Sequence, residues 1–356
     1  MIRLKNKEII AILCCIFLIS SSCMNQKTEN EGQNHYKNVS GEAQGTTYSI
    51  TYLDSTGTIF SKHAADSILN AIDMALSVWV DGSTISRFNQ MDSMKIDDPH
   101  FLNVFFRGRE IVNQTDGAFQ PMVMPLVRAW GFGRTGAHPK GDLNTDTLMV
   151  LVNTELEITP VDTSSEGNFP SFIIQKMAGQ EIDVNGIAQG YSVDVVADFL
   201  KSKGVENFMV EIGGEVFAYG VNNADEPWRI GIDKPVPLDQ QRELQAIAKL
   251  TNRAIATSGS YRKFYEVDGK RYSHTIDPAT GKPVDHQLLS ATVMAPNCTN
   301  ADAFATAFMV KGVEVSKKYV EDHPELNLEI YLIYNDESEG FKSYMSPGMK
   351  EIIEEI

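Results

Sequence analysis

Two separated segments carry residue types that could together hold a phosphate and a metal ion. The first, Asp183-Val-Asn-Gly-Ile-Ala-Gln-Gly-Tyr191, is a glycine-containing turn that leads into a helical pattern. The second, Asn300-Ala-Asp-Ala-Phe-Ala-Thr306, places a carboxylate and a hydroxyl four residues apart. Residues at this spacing share one face of a helix, so Asp302 and Thr306 could direct two oxygens toward one point.

Magnesium is the cation that best suits such a pair. It prefers octahedral coordination by few protein oxygens, completed by water and substrate phosphate. Two side-chain oxygens and a main-chain carbonyl from the glycine turn would suffice, and a diphosphate ligand would complete the shell. In the alternative interpretation, Asp302 is an acid that the helix dipole favours in the first helical turn, and Thr306 is a hydroxyl at the edge of the core.

Length and charge narrow the class of protein. A chain of 356 residues, 42% of them hydrophobic, suits one large α/β domain or two fused lobes with a sizeable core. The formal net charge of −16 argues against nucleic acid as a partner. An anionic ligand would need a metal ion or helix N-termini to offset repulsion, which favours the magnesium interpretation.

The N-terminus resembles an export signal with a lipid attachment site. Three basic residues within positions 3–7 precede an apolar run at 9–19 that is too short for a permanent membrane span. Ser20-Ser-Ser-Cys23 resembles a bacterial lipobox, which predicts a signal peptide over residues 1–22 and lipidation of Cys23. Ser20 stands where a bulky aliphatic residue is common, so a plain secretory signal is the alternative.

The segment after Cys23 is polar and predicts a disordered tether over residues 23–40, followed by a folded region over 41–356. The mature chain would keep two cysteines, Cys23 and Cys298. Metal–thiolate and cysteine-nucleophile chemistry are therefore disfavoured, and no internal disulfide is expected if Cys23 is lipidated.

Residue periodicity predicts a mixed α/β protein. Helices are expected at 64–80, 101–114, 187–203, 300–310 and 313–321. Strands are expected at 44–53, 207–212, 216–219, 228–232, 244–250, 272–276, 290–294 and, as the last element, 328–334. Long surface loops are expected at 131–147 and 160–170.

Further segments combine glycine with hydroxyl, aromatic or acidic residues in a fixed order, a composition that lets main-chain amides approach a phosphate or a flat ring. They are Gln44-Gly-Thr-Thr-Tyr48, Asp116-Gly-Ala-Phe-Gln-Pro121, Trp130-Gly-Phe-Gly133, Glu211-Ile-Gly-Gly-Glu215, Ala256-Thr-Ser-Gly-Ser260 and His274-Thr-Ile-Asp-Pro-Ala-Thr-Gly281. Trp79 and Ile85-Ser-Arg-Phe-Asn89, which lack glycine, fall in the same succession. With the two opening segments, this succession resembles the ApbE family of FAD:protein FMN transferases, which are magnesium enzymes of the bacterial cell envelope. The resemblance covers residues 44–334.

The resemblance implies a fold and a set of site residues. The fold would be mixed α/β (α+β) and T-fold-related, a single two-lobed catalytic unit with FAD in the groove between the lobes. Magnesium would be held by Asp302, Thr306 and the main-chain oxygen of Gly186. FAD would be contacted by Gln44, Trp79, Ala118, Phe119, Gln120, Asp183, Gln189, His274 and Ile276.

Some of these residues allow a purely structural interpretation, and three depart from the family pattern. Trp79 and Phe119 could be core residues, and Asp183 could be a helix cap. Gln44 stands where methionine is common in the family, Gln120 where aspartate is common, and Gln189 where lysine is common. Each keeps hydrogen-bonding capacity but changes the charge or shape that the side chain presents to a ligand.

The reaction implied by the resemblance is attack by a threonine or serine hydroxyl of a target protein on the FMN-side phosphorus of FAD, which releases AMP. His274 is the first candidate for a general base because an unperturbed histidine titrates near neutrality. It could instead stabilise its loop. Asp277 is the second candidate, or a turn acid before Pro278.

Three other functions remain as alternatives: an FAD pyrophosphatase giving FMN and AMP, a non-catalytic flavin-binding lipoprotein, and a structural envelope protein. By the resemblance, the acceptor would be an envelope-facing redox-pump subunit, such as one of a sodium-translocating NADH:quinone reductase or an Rnf complex, or another extracytoplasmic flavoprotein. The protein is expected in the bacterial cell envelope, anchored by lipid, with the inner membrane favoured.

Overall fold

Antiparallel strands form most of the backbone framework. A computed structural model describes residues 35–54, 57, 60–133, 139, 143–161, 170–236, 243–260, 264–267, 270–336, 338 and 340–356. The predicted signal peptide, Cys23 and most of the predicted loop at 160–170 lie outside these residues.

The described helices are α1 Lys62–Leu76, α2 Thr84–Gln90, α3 Pro99–Gln114, α4 Met124–Ala129, α5 Asp146–Asn153, α6 Ala188–Ser202, α7 Cys298–Asp322 and α8 Pro347–Ile352. The strands are β1 His35–Ala43, β2 Thr46–Asp54, β3 Ser93–Ile96, β4 Glu157–Val161, β5 Ser171–Gln175, β6 Phe208–Ile212, β7 Glu215–Tyr219, β8 Trp228–Asp233, β9 Leu244–Leu250, β10 Arg253–Gly259, β11 Phe264–Val267, β12 Lys270–Ser273, β13 Ile276–Asp277, β14 Lys282–Pro283, β15 Leu288–Ala295, β16 Glu329–Asp336, β17 Gly340–Met345 and β18 Ile353–Glu355. Within this described part, no helix has the length and apolar character needed to cross a membrane.

The main sheet has eight strands in the order β1-β2-β6-β7-β10-β15-β16-β17. Neighbours from β2 to β17 pair antiparallel. Two three-stranded sheets, β18-β9-β8 and β3-β5-β4, and two short hairpins, β11-β12 and β13-β14, complete the strand pairing. The mixed α/β class predicted from periodicity is confirmed.

Helices α6 and α7 lie side by side against the main sheet, and their close contact positions much of the candidate site. A Cβ atom at Gly190 in α6 would lie 2.3 Å from the carbonyl oxygen of Cys298 and 2.7 Å from Cβ of Asp302, both in α7. Only glycine permits this approach. Asp194 of α6 fixes the start of α7 by accepting hydrogen bonds of 2.8 Å from the main-chain amides of Cys298 and Thr299.

Helix α7 covers both helices predicted in this region. Gly312 has a non-helical conformation (φ 73°, ψ −177°) and divides α7 where the sequence predicted a break between 310 and 313. The first part of α7 carries Asp302 and Thr306. Asn297 caps its N-terminus by accepting a hydrogen bond from the main-chain amide of Asn300 at 2.8 Å.

The apolar side chains form several separate cores, and two of them define the lobes that border the candidate site. The largest core joins the main sheet to α6 and α7, with Phe208, Val293 and Phe304 fully buried. A second core is built from α1, α2, α3 and β5 and reaches Ala303 and Ala307 of α7. Because α7 contributes to both cores, it connects the two lobes at the place where the candidate site lies.

The boundary of the predicted tether is wrong by several residues. Residues 35–40 belong to β1, which forms the edge of the main sheet next to β2. The Tyr36 hydroxyl donates a 2.7 Å hydrogen bond to the carbonyl of Val221, and its ring packs edge-on against Trp228. These contacts come from distant parts of the chain, so the polar local sequence did not reveal the strand.

Other predicted elements need correction. The strand predicted at 272–276 is two strands, β12 and β13, separated at His274 and Thr275. The helix predicted at 64–80 ends at Leu76, so Trp79 lies in the following turn. The strand at 328–334 is not the last element, because β17, α8 and β18 follow it. Strand β10 and the small sheet β3-β5-β4 were not predicted at all.

Candidate functional site

A cavity of about 920 Å³ lies between the main-sheet lobe and the second lobe. This volume is in the upper range of ligand-binding pockets. Every residue predicted to contact FAD lines the cavity, as do the three predicted metal ligands: Gln44, Trp79, Ala118, Phe119, Gln120, Asp183, Gly186, Gln189, His274, Ile276, Asp302 and Thr306. Residues far apart in the sequence thus meet at one surface.

Asp302 is buried on α7, with 5% of its surface exposed. It is the fifth residue of the helix rather than a first-turn acid, and its Oδ2 accepts a 3.0 Å hydrogen bond from the main-chain amide of Gly190. Burial raises the pKa of Asp302 to about 7, with a smaller contribution from the charge of Asp194 and an opposing one from the Gly190 amide. A cation beside Asp302 would offset this cost of burial.

Thr306 and Gly186 meet beside this carboxylate. A Cβ atom at Gly186 would lie 2.8 Å from Thr306 Oγ1, so the turn preceding α6 packs directly on the hydroxyl. Thr306 Oγ1 also lies 3.3 Å from the hydroxyl of Ser258 at the end of β10. The structure therefore brings together the three predicted metal ligands and adds Ser258, which sequence reasoning had noted only as part of a glycine-containing segment.

Glu215 is a cavity residue that sequence reasoning missed as a functional candidate. It is the first residue of β7, with 7% of its surface exposed, and it lines the same cavity as Asp302. Burial, followed by the charge of Asp302, raises the pKa of Glu215 well above its usual range. We refer to Glu215 and Asp302 as the buried carboxylate pair. The only local signal in the sequence for a functional role of Glu215 is the glycine pair that precedes it.

Three aromatic rings line the cavity without being fully buried: Trp79 is exposed, and Phe132 and His274 are half-buried. We refer to these three residues together as the exposed aromatic lining. Trp79 is 57% exposed, which excludes the interpretation of this residue as part of the core. The rings of Phe132 and His274 lie 6.3 Å apart, edge to face. Phe132 also packs against Tyr265, at a centroid distance of 5.2 Å.

A row of packed aromatic rings, which we call the ladder, continues from Phe132 of the exposed aromatic lining. Tyr265 stacks on Tyr272 at 5.1 Å, and Tyr272 stacks on the buried Trp130 at 5.8 Å. The Trp130 indole donates a 2.8 Å hydrogen bond to the carbonyl of Gly281. This ladder connects the loops that carry Phe132 and His274, which the sequence had shown only as separate motifs.

The segment 118–120 and Asp183 line another part of the cavity. Phe119 is 3% exposed and belongs to the second core, as the alternative interpretation of this residue had it, and it also lines the cavity. Gln120 Oε1 accepts a 3.1 Å hydrogen bond from the amide of Met122. Asp183 Oδ1 accepts a 2.8 Å hydrogen bond from the main-chain amide of Asn185. Asp183 does not cap α6, because the N-cap residue of that helix is Ile187.

Two of the glutamines that depart from the family pattern lie near the start of α6. Gln44 has a positive φ of 56° in the turn between β1 and β2, and its Nε2 donates a 2.7 Å hydrogen bond to the hydroxyl of Ser192. Its Oε1 is buried and has no hydrogen-bond partner in the described chain. A Cβ atom added at Gly213 would lie 2.5 Å from Nε2 of Gln189, so the Gln189 side chain lies directly against Gly213.

Asp277 is used by its own turn. Its Oδ1 accepts a 2.8 Å hydrogen bond from the amide of Ala279, and its Oδ2 accepts a 3.0 Å bond from the Thr280 hydroxyl. The cavity lining includes His274 and Pro278 but not Asp277. The geometry therefore favours the turn-acid interpretation of Asp277 and leaves His274 as the candidate base.

The donor set at Asp302 suits a hard cation that keeps part of its shell for water and phosphate. In the described part of the chain, no group of three or more His, Cys, Asp or Glu side chains is arranged to hold a metal ion. A site here would combine carboxylate, hydroxyl and main-chain oxygens, which are the ligand types that magnesium accepts. The burial of the Asp302 carboxylate is the observation that supports a cation at this position.

Comparison with known proteins identifies the class. The model of the ApbE family matches residues 44–331. An FAD:protein FMN transferase of Vibrio cholerae is 37% identical over 321 residues, covering 88% of this chain and 92% of that protein. The Escherichia coli K12 protein of the same name is 32% identical over 88% of each chain. The solved structure titled Flavin Transferase ApbE from Vibrio cholerae gives a TM-score of 0.75 at 35% identity, covering 90% of this chain and 99% of that one.

The fold is that of a flavin transferase, and the comparisons extend over nearly the whole described part of the chain. The chain belongs to the ApbE family.

Proposed function

We propose that this protein transfers FMN from FAD to a threonine or serine hydroxyl of a target protein in a magnesium-dependent reaction that releases AMP. The observation that carries the proposal is the single cavity that joins the buried Asp302, with Thr306 and Gly186, to the segments expected to hold FAD. Family membership and curated FAD:protein FMN transferases at 32–37% identity support the same reaction.

Asp302, Thr306 and the main-chain oxygen of Gly186 would hold magnesium. When bound, the ion supplies positive charge to the diphosphate and to the AMP leaving group. The start of α6 contributes less to phosphate binding than the glycine motif suggests, because the Gly190 amide is already donated to Asp302.

The chemical step exchanges one P–O bond for another. The acceptor hydroxyl oxygen bonds to the FMN-side phosphorus, and the bond from that phosphorus to the bridging oxygen breaks, so AMP leaves with the bridging oxygen. The hydroxyl proton passes to His274, which lines the cavity beside the ring of Phe132. Because phosphoryl-transfer transition states are loose, His274 assists the attack without being indispensable.

We also propose that the protein acts at the bacterial cell envelope, attached to the membrane by lipid at Cys23. The basic and apolar N-terminal pattern and the lipobox-like Ser20-Ser-Ser-Cys23 support this location. The acceptor would then be an extracytoplasmic domain, such as an envelope-facing subunit of a redox pump.

Mass spectrometry of a candidate acceptor tests the function. The full-length chain in detergent is incubated with FAD, MgCl₂ and a purified extracytoplasmic domain of a redox-pump subunit. A mass gain equal to one FMN phosphoester is expected, and it should vanish with Asp302→Ala. Asp322→Asn, at the exposed end of the same helix, is the matched control and should leave the gain intact.

The products separate the alternatives. FAD cleaved to FMN and AMP without a mass gain would identify a pyrophosphatase. FAD bound but intact, with several acceptor domains, would identify a flavin carrier. Removal of residues 1–40 is not suitable for this assay, because it would delete most of β1.

A further inference from the structure

Glu215 is a buried acidic residue that the proposed reaction has not yet used. It stands at the start of β7, 7% exposed, with its side chain in the lining of the cavity. The β6–β7 hairpin that presents it is closed by Glu211, whose Oε1 accepts a 2.9 Å hydrogen bond from the amide of Gly214. Glu211 therefore has a structural task in this hairpin.

One oxygen of Glu215 has no partner. Its Oε2 is buried and makes no hydrogen bond within the described residues. Leaving a buried carboxylate oxygen unsatisfied costs free energy, and proteins usually satisfy such an atom with a hydrogen bond, an ordered water or a bound ion. A buried, unpaired carboxylate oxygen on a residue that lines a cavity is suited to a cation or to a donor on a ligand.

Glu215 and Asp302 both lie near the buried residue Cys298. The thiol of Cys298 donates to the carbonyl of Val216, the neighbour of Glu215, at 3.7 Å, and Cys298 lies one helical turn before Asp302. The charges of Glu215 and Asp302 both act on this thiol. The buried carboxylate pair is therefore close in space as well as lining one cavity.

The charges that act on this pair within the described chain are negative. Apart from each other, they are Glu211 for Glu215 and Asp194 for Asp302. Asp194 is itself occupied by the amides of Cys298 and Thr299, so it offers nothing to neutralise Asp302. Two buried carboxylates with no opposing charge are unfavourable unless a cation joins them.

We propose that Glu215 is a second carboxylate of the magnesium site and helps Asp302 to hold the cation before FAD arrives. This inference rests on the proposed function and deepens it. Two carboxylates neutralise a divalent cation, so the pair can hold the ion without phosphate, whereas Asp302 with only neutral oxygens would depend on the diphosphate to complete the site.

The test measures Mn²⁺ binding to the full-length chain in the absence of FAD, by the loss of the electron paramagnetic resonance signal of free Mn²⁺ at pH 8. We expect saturable binding to the unsubstituted protein and at least a roughly tenfold weaker affinity in Glu215→Gln. Glu211→Gln removes the same charge from the same hairpin and should change the affinity by less than about twofold. Asp302→Asn should abolish binding.

Thermal unfolding provides a second readout that does not depend on activity. Mn²⁺ should raise the melting temperature of the unsubstituted protein and of Glu211→Gln, since a ligand that binds the native state stabilises it. Glu215→Gln should retain the metal-free melting temperature or exceed it, because repulsion with Asp302 is removed, but it should lose most of the rise caused by Mn²⁺.

The outcomes separate this inference from the proposed function. Binding that is lost in Asp302→Asn but intact in Glu215→Gln would overturn the role of Glu215 and leave the magnesium site standing. No saturable Mn²⁺ binding by the unsubstituted protein, with or without FAD, would overturn the magnesium dependence and this inference with it. Binding that requires FAD in the unsubstituted protein would overturn this inference alone.

Discussion

The buried carboxylate pair and the exposed aromatic lining belong to one cavity but are built in opposite ways. Asp302 and Glu215 are 5% and 7% exposed and are carried by a helix and a strand of the main-sheet lobe. Trp79 is 57% exposed and stands in a turn, and His274 stands between two short strands. The first region is fixed by close backbone packing, the second by side-chain stacking.

This difference indicates a division of labour. A metal ion must be held within narrow limits of distance, which rigid elements in close contact provide. A flavin ring and an incoming protein need a surface that can be reached from solvent, which loops provide. Substitutions in the carboxylate region should therefore affect stability and metal binding, whereas those in the aromatic lining should affect ligand binding and rate.

The largest effect is expected from Gly190→Ala, which acts on the packing behind Asp302. The new Cβ would lie 2.3 Å from a main-chain oxygen of α7, so the two helices would have to separate. We expect a loss of about 3 kcal/mol or more in the free energy of unfolding, measured by urea denaturation.

Gly108→Ala is the matched control, because it replaces a glycine inside α3 where the nearest atom would be Pro121 Cγ at 3.3 Å. Its effect should stay within about 1 kcal/mol, the scale of the helix-propensity gain from alanine. Equal effects of the two substitutions would show that the α6–α7 contact is not specially tight.

His274→Gln tests the chemical role assigned to the aromatic lining. Loss of a general base that assists a loose transition state should lower kcat for FMN transfer about 10- to 100-fold, below the full range for acid–base catalysis. The KM for FAD should change little, and the acidic limb of the pH–rate profile, measured at saturating MgCl₂, should disappear. Initial rates measured against FAD concentration and pH check this expectation.

A histidine that only stabilises its loop would give a different pattern. The KM would rise, the pH dependence would persist, and the melting temperature would fall. His323→Gln, an exposed residue at the end of α7, controls for the loss of an imidazole elsewhere and should leave all three quantities unchanged.

Proton release provides a test of the carboxylate region that requires no catalysis. Burial raises the pKa of Asp302 from 3.8 to about 7 in the metal-free protein, so the folded state holds a proton between these values that the unfolded state has lost. The metal-free fold should therefore lose stability as the pH rises from about 4 to 7. Below pH 7, Mn²⁺ must displace the proton.

We expect Mn²⁺ affinity to fall about tenfold per pH unit below pH 7, with at least one proton released per ion at pH 6. Isothermal titration calorimetry in two buffers with different ionisation enthalpies measures this number. Proton release that is the same at pH 6 and pH 9 would show that neither carboxylate of the pair is protonated in the metal-free site.

Sequence reasoning predicted the parts of the site that depend on local spacing. Asp302 and Thr306 are four residues apart on one helix, and α7 was predicted from periodicity, so their pairing needed no knowledge of the rest of the fold. The break at Gly312 falls between the two helices predicted at 300–310 and 313–321, and glycine is unfavourable inside a helix. The family resemblance then supplied Gly186, and the structure places it against Thr306.

The parts that escaped prediction depend on contacts between distant segments. Glu215 follows a glycine pair like many surface residues, and its burial results from the packing of β7 beside β10 and near Cys298. Helix α1 ends at Leu76, and in the turn that follows the carbonyl of Ser77 accepts a 2.7 Å hydrogen bond from the hydroxyl of Ser83, six residues later. Neither effect follows from hydrophobic periodicity.

Trp79→Ala should give the smallest effect and sharpens the comparison from the exposed side. Since more than half of Trp79 is exposed, its removal should leave the free energy of unfolding within about 0.5 kcal/mol of the original value. Loss of ring stacking should raise the KM for FAD about tenfold. A tenfold change corresponds to between about 1 and 2 kcal/mol, which lies within the about 1–3 kcal/mol that stacking one base on an aromatic ring contributes. The value of kcat should be nearly unchanged, because the ring does not touch the reacting phosphorus in the proposed arrangement.

Trp79→Phe should recover most of the affinity for FAD, since a smaller ring still stacks. Fluorescence quenching of bound FAD measures binding, and urea denaturation measures stability. If Trp79→Ala destabilised the fold by several kcal/mol, the exposed aromatic lining would be a structural element like the carboxylate region, and the division between them would fail. Loss of affinity without loss of stability would instead show that the two regions of the cavity can be altered independently.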